Sequence, residues 1–227
     1  LMSNAHGGKG IMMGGIPGVS PTEVVIIGGG VASIVAAKAA LAMGALVKVF
    51  DEDVTELRNI QEKLGHSLFT STLLPNVLRN NFRSADVVMN YLNKTHFYRI
   101  SADLIREMKK GSLIIDLRMS NGGCFETTME ACFGDHPTIF ERYGIVHFCE
   151  TNLSSRVART ASIALSNIFV SLFASLSDCG GVDLFAKLDR GFATGFYMYS
   201  GKMVNSYIAN HFNFAVYDIG LFLSGFL

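Results

Sequence analysis

The sequence has no tryptophan, only four prolines and only four cysteines in 227 residues. The cysteines show no C-x-x-C spacing and the six histidines are scattered, so we expect no metal site. Unpaired thiols and the lack of a signal-peptide pattern predict a cytoplasmic protein. The chain begins at Leu1 rather than at a methionine, and we expect it to be a fragment whose N-terminal domain is missing.

Charge of either sign is also scarce. Basic and acidic residues number 19 each, so the net charge is zero and no basic patch predicts a nucleic-acid partner. No unbroken run of 18 apolar residues occurs, so we expect no membrane span. The mean hydropathy of +0.33 is high for a free domain and predicts faces covered by a homo-oligomer or by a further domain.

The stretch Glu23–Asp53 indicates a strand, a glycine turn, a helix and a second strand. Its sequence is EVVIIGGGVASIVAAKAALAMGALVKVFDED. An apolar run precedes the three glycines, an alanine-rich helix begins at Val31, and LVKVF forms the next strand. In such a unit Gly28 permits the tight turn, and Gly30 lets the backbone approach a pyrophosphate at the helix N-terminus, so we expect Gly28, Gly30 and Val31 to bind the cofactor.

Asp51 stands at the carboxyl end of the second strand, 21 residues after Gly30. A carboxylate near this spacing accepts a hydrogen bond from a ribose 2′-OH. Glu52 and Asp53 add negative charge that would repel a 2′-phosphate, so the stretch predicts NAD rather than NADP. Ser33 stands where the third glycine of G-x-G-x-x-G would be. A structural βαβ unit with no bound nucleotide is the alternative interpretation.

Further strands alternate with helices along the chain. Short apolar strands are predicted at residues 67–72, 86–90, 113–116 and 145–148. This alternation predicts an α/β fold, a doubly wound parallel sheet of the Rossmann type. Asn90 and Leu92 lie at the carboxyl end of the fourth strand, where ligands bind in such sheets, and we expect both to contact the cofactor.

Composition divides the chain into three segments. Residues 1–22 are glycine-rich and predict a hinge or a flexible linker. Residues 23–176 predict the nucleotide-binding domain, which ends in a long helix from Ser154. Residues 177–227 carry a phenylalanine-rich tail, in which 195–199 could be a strand. We expect this tail to leave the Rossmann sheet and to belong to the lobe that is otherwise missing.

Several segments in order resemble alanine dehydrogenase. They are GGKGIMMGGIPGV, VVIIGGG with VKVFD, MKKGSLIIDLRMSNGGCFETT, HPTIF, IVHFCETN, RVARTASIALSNIF and GFYMYSGKMVNSYIA. The resemblance covers nearly the whole chain. It implies reversible oxidative deamination of L-alanine to pyruvate and ammonia with NAD in the intact protein. The family's substrate lysine and histidine lie in its N-terminal domain, so this chain alone is expected to be inactive.

The resemblance also assigns roles to residues. Asp51 matches the ribose-binding aspartate, and Asn152 with Leu153 matches a loop at the nicotinamide. The loop from Met119, which is expected to contact the cofactor, departs from the family pattern I-D-Q-G-G. Ser120 takes the place of the aspartate that is assigned to the proton and hydride chemistry, with Asn121 beside it.

Two alternatives remain open at this point. Asn121 before the double glycine is similar to the loop of the transhydrogenase cofactor domain. Ser120 has no charge and no useful pKa near 7, which favours a non-catalytic or regulatory NAD-binding homologue. The upstream sequence would discriminate these alternatives, because the enzyme requires the lysine and the histidine.

Overall fold

The computed structural model describes residues 1–92, 99–118, 123–128 and 137–224. Within these ranges the chain divides into two compact units, Leu1–Leu153 and Ser154–Leu227. The division falls before the long helix, whereas the composition suggested a boundary after residue 176.

The first unit contains an α/β arrangement. Its strands are β1 (Glu23–Ile27), β2 (Leu46–Phe50), β3 (Phe69–Ser71), β4 (Val87–Asn90), β5 (Leu113–Asp116), β6 (Ile139–Arg142) and β7 (Ile145–Phe148). Its described helices are α1 (Val31–Ala42), α2 (Val54–Leu64), α3 (Pro75–Ser84) and α4 (Ala102–Arg106).

The seven strands form one sheet in the order β3-β2-β1-β4-β5-β7-β6. All pairs are parallel except β6 with β7, which is antiparallel. β1 lies between β2 and β4, so the strand order reverses direction there and creates the switch point at which such sheets bind ligands. The predicted doubly wound fold is confirmed.

Alternate residues of β1 enter two separate apolar layers. Val25 and Ile27 pack with Leu78 and Phe82 of α3. Val24 and Ile26 pack instead in the layer that contains Ala37 and Ala40 of α1 together with Leu57 and Ile60 of α2. Both faces of the sheet are therefore covered, which explains why the strand is continuously hydrophobic rather than alternating.

Local signals define several helix boundaries. Asp53 is the N-cap of α2 and accepts a hydrogen bond from the Thr55 N–H, while its own N–H donates to Asp51. Pro75 occupies the first turn of α3, where its missing N–H costs nothing. Gly44 has a φ of +83° directly after α1, a conformation that favours glycine.

The second unit contains one long helix, several short helices and a two-stranded sheet. Its elements are α5 (Ala158–Asp178), α6 (Val182–Leu188), α7 (Arg190–Thr194), β8 (Met198–Tyr199), β9 (Lys202–Met203), α8 (Ser206–Phe212) and α9 (Ile219–Ser224). β8 pairs only with β9 in a separate two-stranded antiparallel sheet. The prediction that the tail leaves the parallel sheet is confirmed.

The long helix differs from its prediction in two ways. A 3₁₀ turn, Leu153–Val157, precedes α5, so the α-helix begins at Ala158 rather than at Ser154. The helical segment Leu153–Asp178 also has a stretch with a mean hydropathy of 1.5, enough by length and composition to cross a membrane. The absence of an unbroken apolar run therefore did not exclude such a helix. One helix of this kind is weak evidence, because long core helices have the same composition.

Candidate functional site

The turn after β1 brings the backbones of β1, β2 and β4 close together. Gly28 has a φ of +108°, and its N–H donates a 2.6 Å hydrogen bond to the Phe50 carbonyl. A Cβ atom at Gly28 would lie 2.9 Å from the Tyr91 carbonyl carbon and 3.0 Å from the Leu92 nitrogen. Both the dihedral and the close approach therefore require glycine at this position.

Gly30 has a different environment. A Cβ atom at Gly30 would meet no other atom within 4 Å, so the space beside it is open. Gly30 is the N-cap of α1 and offers no side-chain cap, and the first turn contains no acidic residue. Val31, the first helical residue, is 77% exposed. The N–H groups of this turn and the positive end of the helix dipole are thus accessible to a bound anion.

Asp51 is the acidic residue beside this turn. Its carboxylate is 4% exposed, and Oδ2 accepts a 2.6 Å hydrogen bond from the Gly29 N–H. Its Oδ1 accepts a 2.8 Å bond from the Asp53 N–H. A carboxylate has about four acceptor positions, so these two bonds leave capacity for a hydroxyl donor. The sequence placed Asp51 beside the glycines, but it did not reveal that Asp51 also fixes the turn.

Asn90 and Asp116 form a buried pair at the ends of β4 and β5. The Asn90 side chain is fully buried, donates a 3.0 Å bond to Asp116 Oδ1 and accepts a 3.2 Å bond from the Leu92 N–H. Both polar ends of the predicted cofactor residue Asn90 are therefore engaged with protein groups. Leu92 is 7% exposed and lies against the Gly28 turn. The geometry favours a positioning role for Asn90, which orients the Leu92 backbone.

Asp116 accepts four hydrogen bonds and is completely buried. Asn90 and the Arg118 N–H donate to Oδ1, while the Cys124 N–H and the Thr128 hydroxyl donate to Oδ2 at 2.9 and 2.7 Å. The carboxylate thus ties together both ends of the loop that follows β5. Asp116 was not predicted as a site residue, although an aspartate at a strand end before a Gly-Gly loop was a usable signal.

The loop after β5 contains three predicted site residues, Met119, Ser120 and Asn121. All three lie outside the described residues. Asn152 and Leu153 follow β7, which is parallel to β5, so they lie at the same edge of the sheet as Asp116. Asn152 is exposed and Leu153 is 43% exposed.

A second buried polar group lies in β7. Burial lowers the pKa of His147, and the Arg142 charge lowers it further, although the Ile145 carbonyl and Asp116 act in the opposite direction. Its Nδ1 lies 2.9 Å from the Ile145 carbonyl oxygen and its Nε2 lies 2.9 Å from the Thr127 hydroxyl. A neutral ring that donates from Nδ1 and accepts at Nε2 satisfies both contacts.

The pairing, burial and neighbours of the described cysteines bear on whether they could act as thiolates or metal ligands. Cys124, Cys149 and Cys179 take part in no disulfide bond among the described residues. Burial and the nearby Asp116 charge raise the pKa of Cys124 to about 12, so its thiol is protonated at neutral pH. Within the described ranges, no group of three or more histidine, cysteine or acidic side chains could hold a metal ion.

Comparison with known proteins identifies the family. The family described as "Alanine dehydrogenase/PNT, C-terminal domain" matches residues 1–206. An alanine dehydrogenase of Halomonas elongata is 31% identical over 93% of this chain and 57% of its own length. That of Staphylococcus epidermidis is 33% identical over 94% of the chain and 58% of its own length. The chain thus spans less than two thirds of these relatives.

Solved structures agree with the sequence relatives. An L-alanine dehydrogenase structure superposes with a TM-score of 0.82 at 28% identity, over 93% of this chain and 58% of the other. A transhydrogenase from Sinorhizobium meliloti superposes with a TM-score of 0.65 at 17% identity, over 86% of this chain and 53% of the other, which shows a shared fold only. The resemblance stated from the sequence is confirmed, and the chain belongs to the alanine dehydrogenase/PNT C-terminal domain family.

Proposed function

We propose that this chain is the NAD(H)-binding part of an alanine dehydrogenase-type oxidoreductase. In the intact protein, L-alanine, NAD and water would be converted to pyruvate, ammonia and NADH. The open space at Gly30, at the uncapped N-terminus of α1 and next to Asp51, is the observation that carries the proposal. The family and the curated alanine dehydrogenases support it.

Each part of the turn has a task in this proposal. The N–H groups at the start of α1 bind the cofactor pyrophosphate, because they have no side-chain cap and carry the positive dipole end. Asp51 accepts from a ribose hydroxyl while it keeps the Gly29 N–H in place. When bound, the nicotinamide would supply the hydride acceptor, and Leu92, Asn152 and Leu153 would line its side of the crevice.

Charge at the end of β2 favours NAD over NADP. Asp51 is buried, Glu52 is exposed, and a 2′-phosphate would meet both carboxylates. The loss of one charged hydrogen bond together with repulsion costs at least about 1.4 kcal/mol, or roughly tenfold in affinity.

The domain assignment extends this proposal. Residues 1–22 serve as a hinge, residues 23–176 form the cofactor domain, and residues 177–227 belong to the substrate lobe. The relatives are longer than this chain, and the additional length would supply the groups that bind the amino acid. This chain alone is therefore expected not to deaminate alanine, because proximity and acid–base groups are missing. A cytoplasmic location and a homo-oligomer complete the proposal.

Titration calorimetry of this chain with NADH and NADPH tests the proposal. We expect NADH to bind at least about tenfold more tightly, and Asp51→Ala to reduce that difference. Glu62→Ala, which changes an exposed carboxylate at the other end of α2, is the matched control. Equal affinities, or no NADH binding at millimolar concentration, would contradict the proposal.

A non-catalytic homologue is the second candidate, and the serine at position 120 favours it. In a polypeptide that joins this chain to the N-terminal segment of its relatives, Ser120→Asp should raise alanine-dependent NADH formation about tenfold, since an acid–base group contributes roughly 10² to 10⁴-fold. Unchanged, rapid turnover would show that another residue provides the acid–base group. No turnover in either protein would favour the non-catalytic candidate.

A further inference from the structure

Arg118 carries a charge that lacks a counter-ion among the described residues. Its Nε atom is buried and has no hydrogen-bond partner in the part of the chain that the structure describes. None of the ion pairs between described side chains includes Arg118. A buried guanidinium N–H without an acceptor costs free energy, so its retention calls for an anion that is not part of these residues.

Asp116 is the nearest acidic residue in sequence, but it does not serve as that anion. Its four acceptor positions are filled by Asn90, Thr128 and the backbone N–H groups of Arg118 and Cys124. Only the backbone of Arg118 takes part in this network. The carboxylate therefore fixes where Arg118 leaves the strand, while the guanidinium Nε finds no acceptor among the described residues.

The side chain lies close to the far end of the same loop. The Arg118 charge lowers the pKa of the Cys124 thiol, which burial and Asp116 raise more strongly. Cys124 is itself held by Asp116 through its N–H. Arg118 and Cys124 thus both lie beside Asp116. Arg118 follows the carboxyl end of β5 by two residues.

The end of β5, where Arg118 lies, is the part of the proposed cofactor crevice away from the β1–α1 turn. Ile27, Asn90 and Asp116 are in register across β1, β4 and β5, and each ends its strand. Two strand spacings separate the end of β1 from that of β5, which is about 10 Å. The pyrophosphate would lie at β1, so β5 lies on the side toward which the other mononucleotide half extends.

We propose that Arg118 binds the carboxylate of the acid substrate at this edge of the sheet. This inference rests on the proposed function, because the substrate class comes from it. A planar guanidinium matches a carboxylate with two parallel N–H···O bonds, and the partly buried setting strengthens them. Arg118 is then a substrate-binding residue that this chain supplies, in addition to groups from the rest of the protein.

A phosphate of the cofactor offers the same oxyanion chemistry, and the test separates the two sources. Pyruvate is titrated by calorimetry, with saturating NADH and without ammonium so that no turnover occurs, into the polypeptide that joins this chain to the N-terminal segment of its relatives. NADH is titrated separately. The variants are Arg118→Gln, Arg118→Lys and the control Arg106→Gln, which removes an exposed arginine paired with Asp103.

We expect Arg118→Gln to weaken pyruvate binding at least about tenfold and to leave NADH binding unchanged. Arg118→Lys keeps the charge but loses the planar fork, so its affinity for pyruvate should lie between those of the wild type and Arg118→Gln. Arg106→Gln should match the wild type. The melting temperature of Arg118→Gln without ligand should not fall, because no internal hydrogen bond of the side chain is lost; a fall would indicate a structural role instead.

Other outcomes would contradict specific parts of the proposal. A loss of NADH affinity with unchanged pyruvate affinity would assign Arg118 to a cofactor phosphate and overturn the substrate assignment. If NADH binds but Arg118→Gln changes the affinity for neither ligand, this inference is wrong and the proposed function stands. The same holds if NADH binds and pyruvate does not bind at all. Pyruvate binding that depends on Arg118 in a chain that does not bind NADH would instead contradict the proposed function.

Discussion

Buried polar side chains hold the carboxyl edge of the sheet in shape. Asp51 fixes the glycine turn through Gly29, and Asp116 fixes both ends of the loop after β5. Asn90 connects Asp116 to the Leu92 backbone. These bonds satisfy buried backbone N–H groups and the Asn90 side-chain amide, so the loss of one acceptor would leave several donors unsatisfied.

Asp116→Asn tests this arrangement. One carboxylate oxygen becomes an NH₂ group that faces N–H donors, so we expect the free energy of unfolding to fall by about 2 kcal/mol or more. Urea unfolding measures the change. Asp103→Asn is the control, because Asp103 is exposed and pairs only with Arg106 at the surface, where the effect should stay below about 0.5 kcal/mol. Equal small effects in both variants would show that the Asp116 network is dispensable.

His147 predicts a pH dependence of stability. Burial lowers the pKa of this histidine in the folded state below its ordinary value of 6.5, so the unfolded chain takes up a proton first as the pH falls. The free energy of unfolding should therefore decrease as the pH drops below about 6.5, by at most about 1.4 kcal/mol per pH unit. Glu23 and Asp86 have lowered pKa values, and their contributions are lost only at more acidic pH.

His147→Gln should remove the decrease between about pH 6.5 and pH 5, because glutamine can keep a polar contact but does not titrate. Thermal or urea unfolding at several pH values measures it. His66→Gln, at an exposed loop position, should retain the wild-type slope. A wild-type curve that is flat over this range would contradict the prediction.

The sequence predicted the positions of single residues well where a local pattern has only one structural explanation. Gly28 and Asp51 have the positions that the strand, turn and spacing required. Asp116 was missed as a site residue although its place at a strand end before a Gly-Gly loop was a usable signal, because its bonds to Asn90 and Thr128 join segments distant in sequence. The role proposed for Arg118 depends on an unpaired buried Nε, which no local spacing reveals. Asn90 was selected for its position at a strand end, but its side chain is used within the protein.

At the scale of the element, the two glycines of the β1–α1 turn differ sharply. Gly28→Ala should cost about 2 kcal/mol or more, since its φ is positive and the new Cβ would press on the Tyr91 and Leu92 backbone. Gly30→Ala should cost less than about 1 kcal/mol, because the space is open and only the N-cap preference is lost.

Gly30→Ala should have a small effect on stability but a large effect on cofactor binding. A methyl group there would enter the space proposed for the pyrophosphate, so Gly30→Ala should weaken NADH at least about tenfold while the chain stays folded. Urea unfolding and calorimetry on the same protein measure both effects. Undiminished NADH affinity in Gly30→Ala would show that the pyrophosphate binds elsewhere.

Regular elements were predictable where they are buried and long, and less so at the edges. β2, β5 and β7 match their predicted bounds. β6 was missed because it is an antiparallel edge strand, and its alternating residues Ile139 and Glu141 are exposed. The predicted strand over 195–199 is reduced to Met198–Tyr199, because the N–H groups of Gly195 and Phe196 bond back to carbonyls of the preceding helix.

At the scale of the whole molecule, the two units differ in how much apolar surface they cover. The first has two continuous buried layers. In the second, an aromatic series from Phe185 through Phe192, Phe196 and Tyr199 to Phe222 packs together. No residue of α5 is buried, although this helix is apolar. Such a surface indicates that α5 is covered by another chain or by a further domain.

We therefore expect this chain to self-associate through α5. Leu165, Ile168 and Phe169 form one stripe of the helix and are 55%, 64% and 46% exposed. Sedimentation equilibrium should give a mass that exceeds 24.7 kDa and rises with concentration. Leu165→Glu with Ile168→Glu should return it toward the monomer, because two desolvated charges oppose association. Asn167→Glu, on the opposite side of the same helix, should associate like the wild type. A wild-type mass of 24.7 kDa at every concentration would contradict self-association and leave a further domain as the partner of α5.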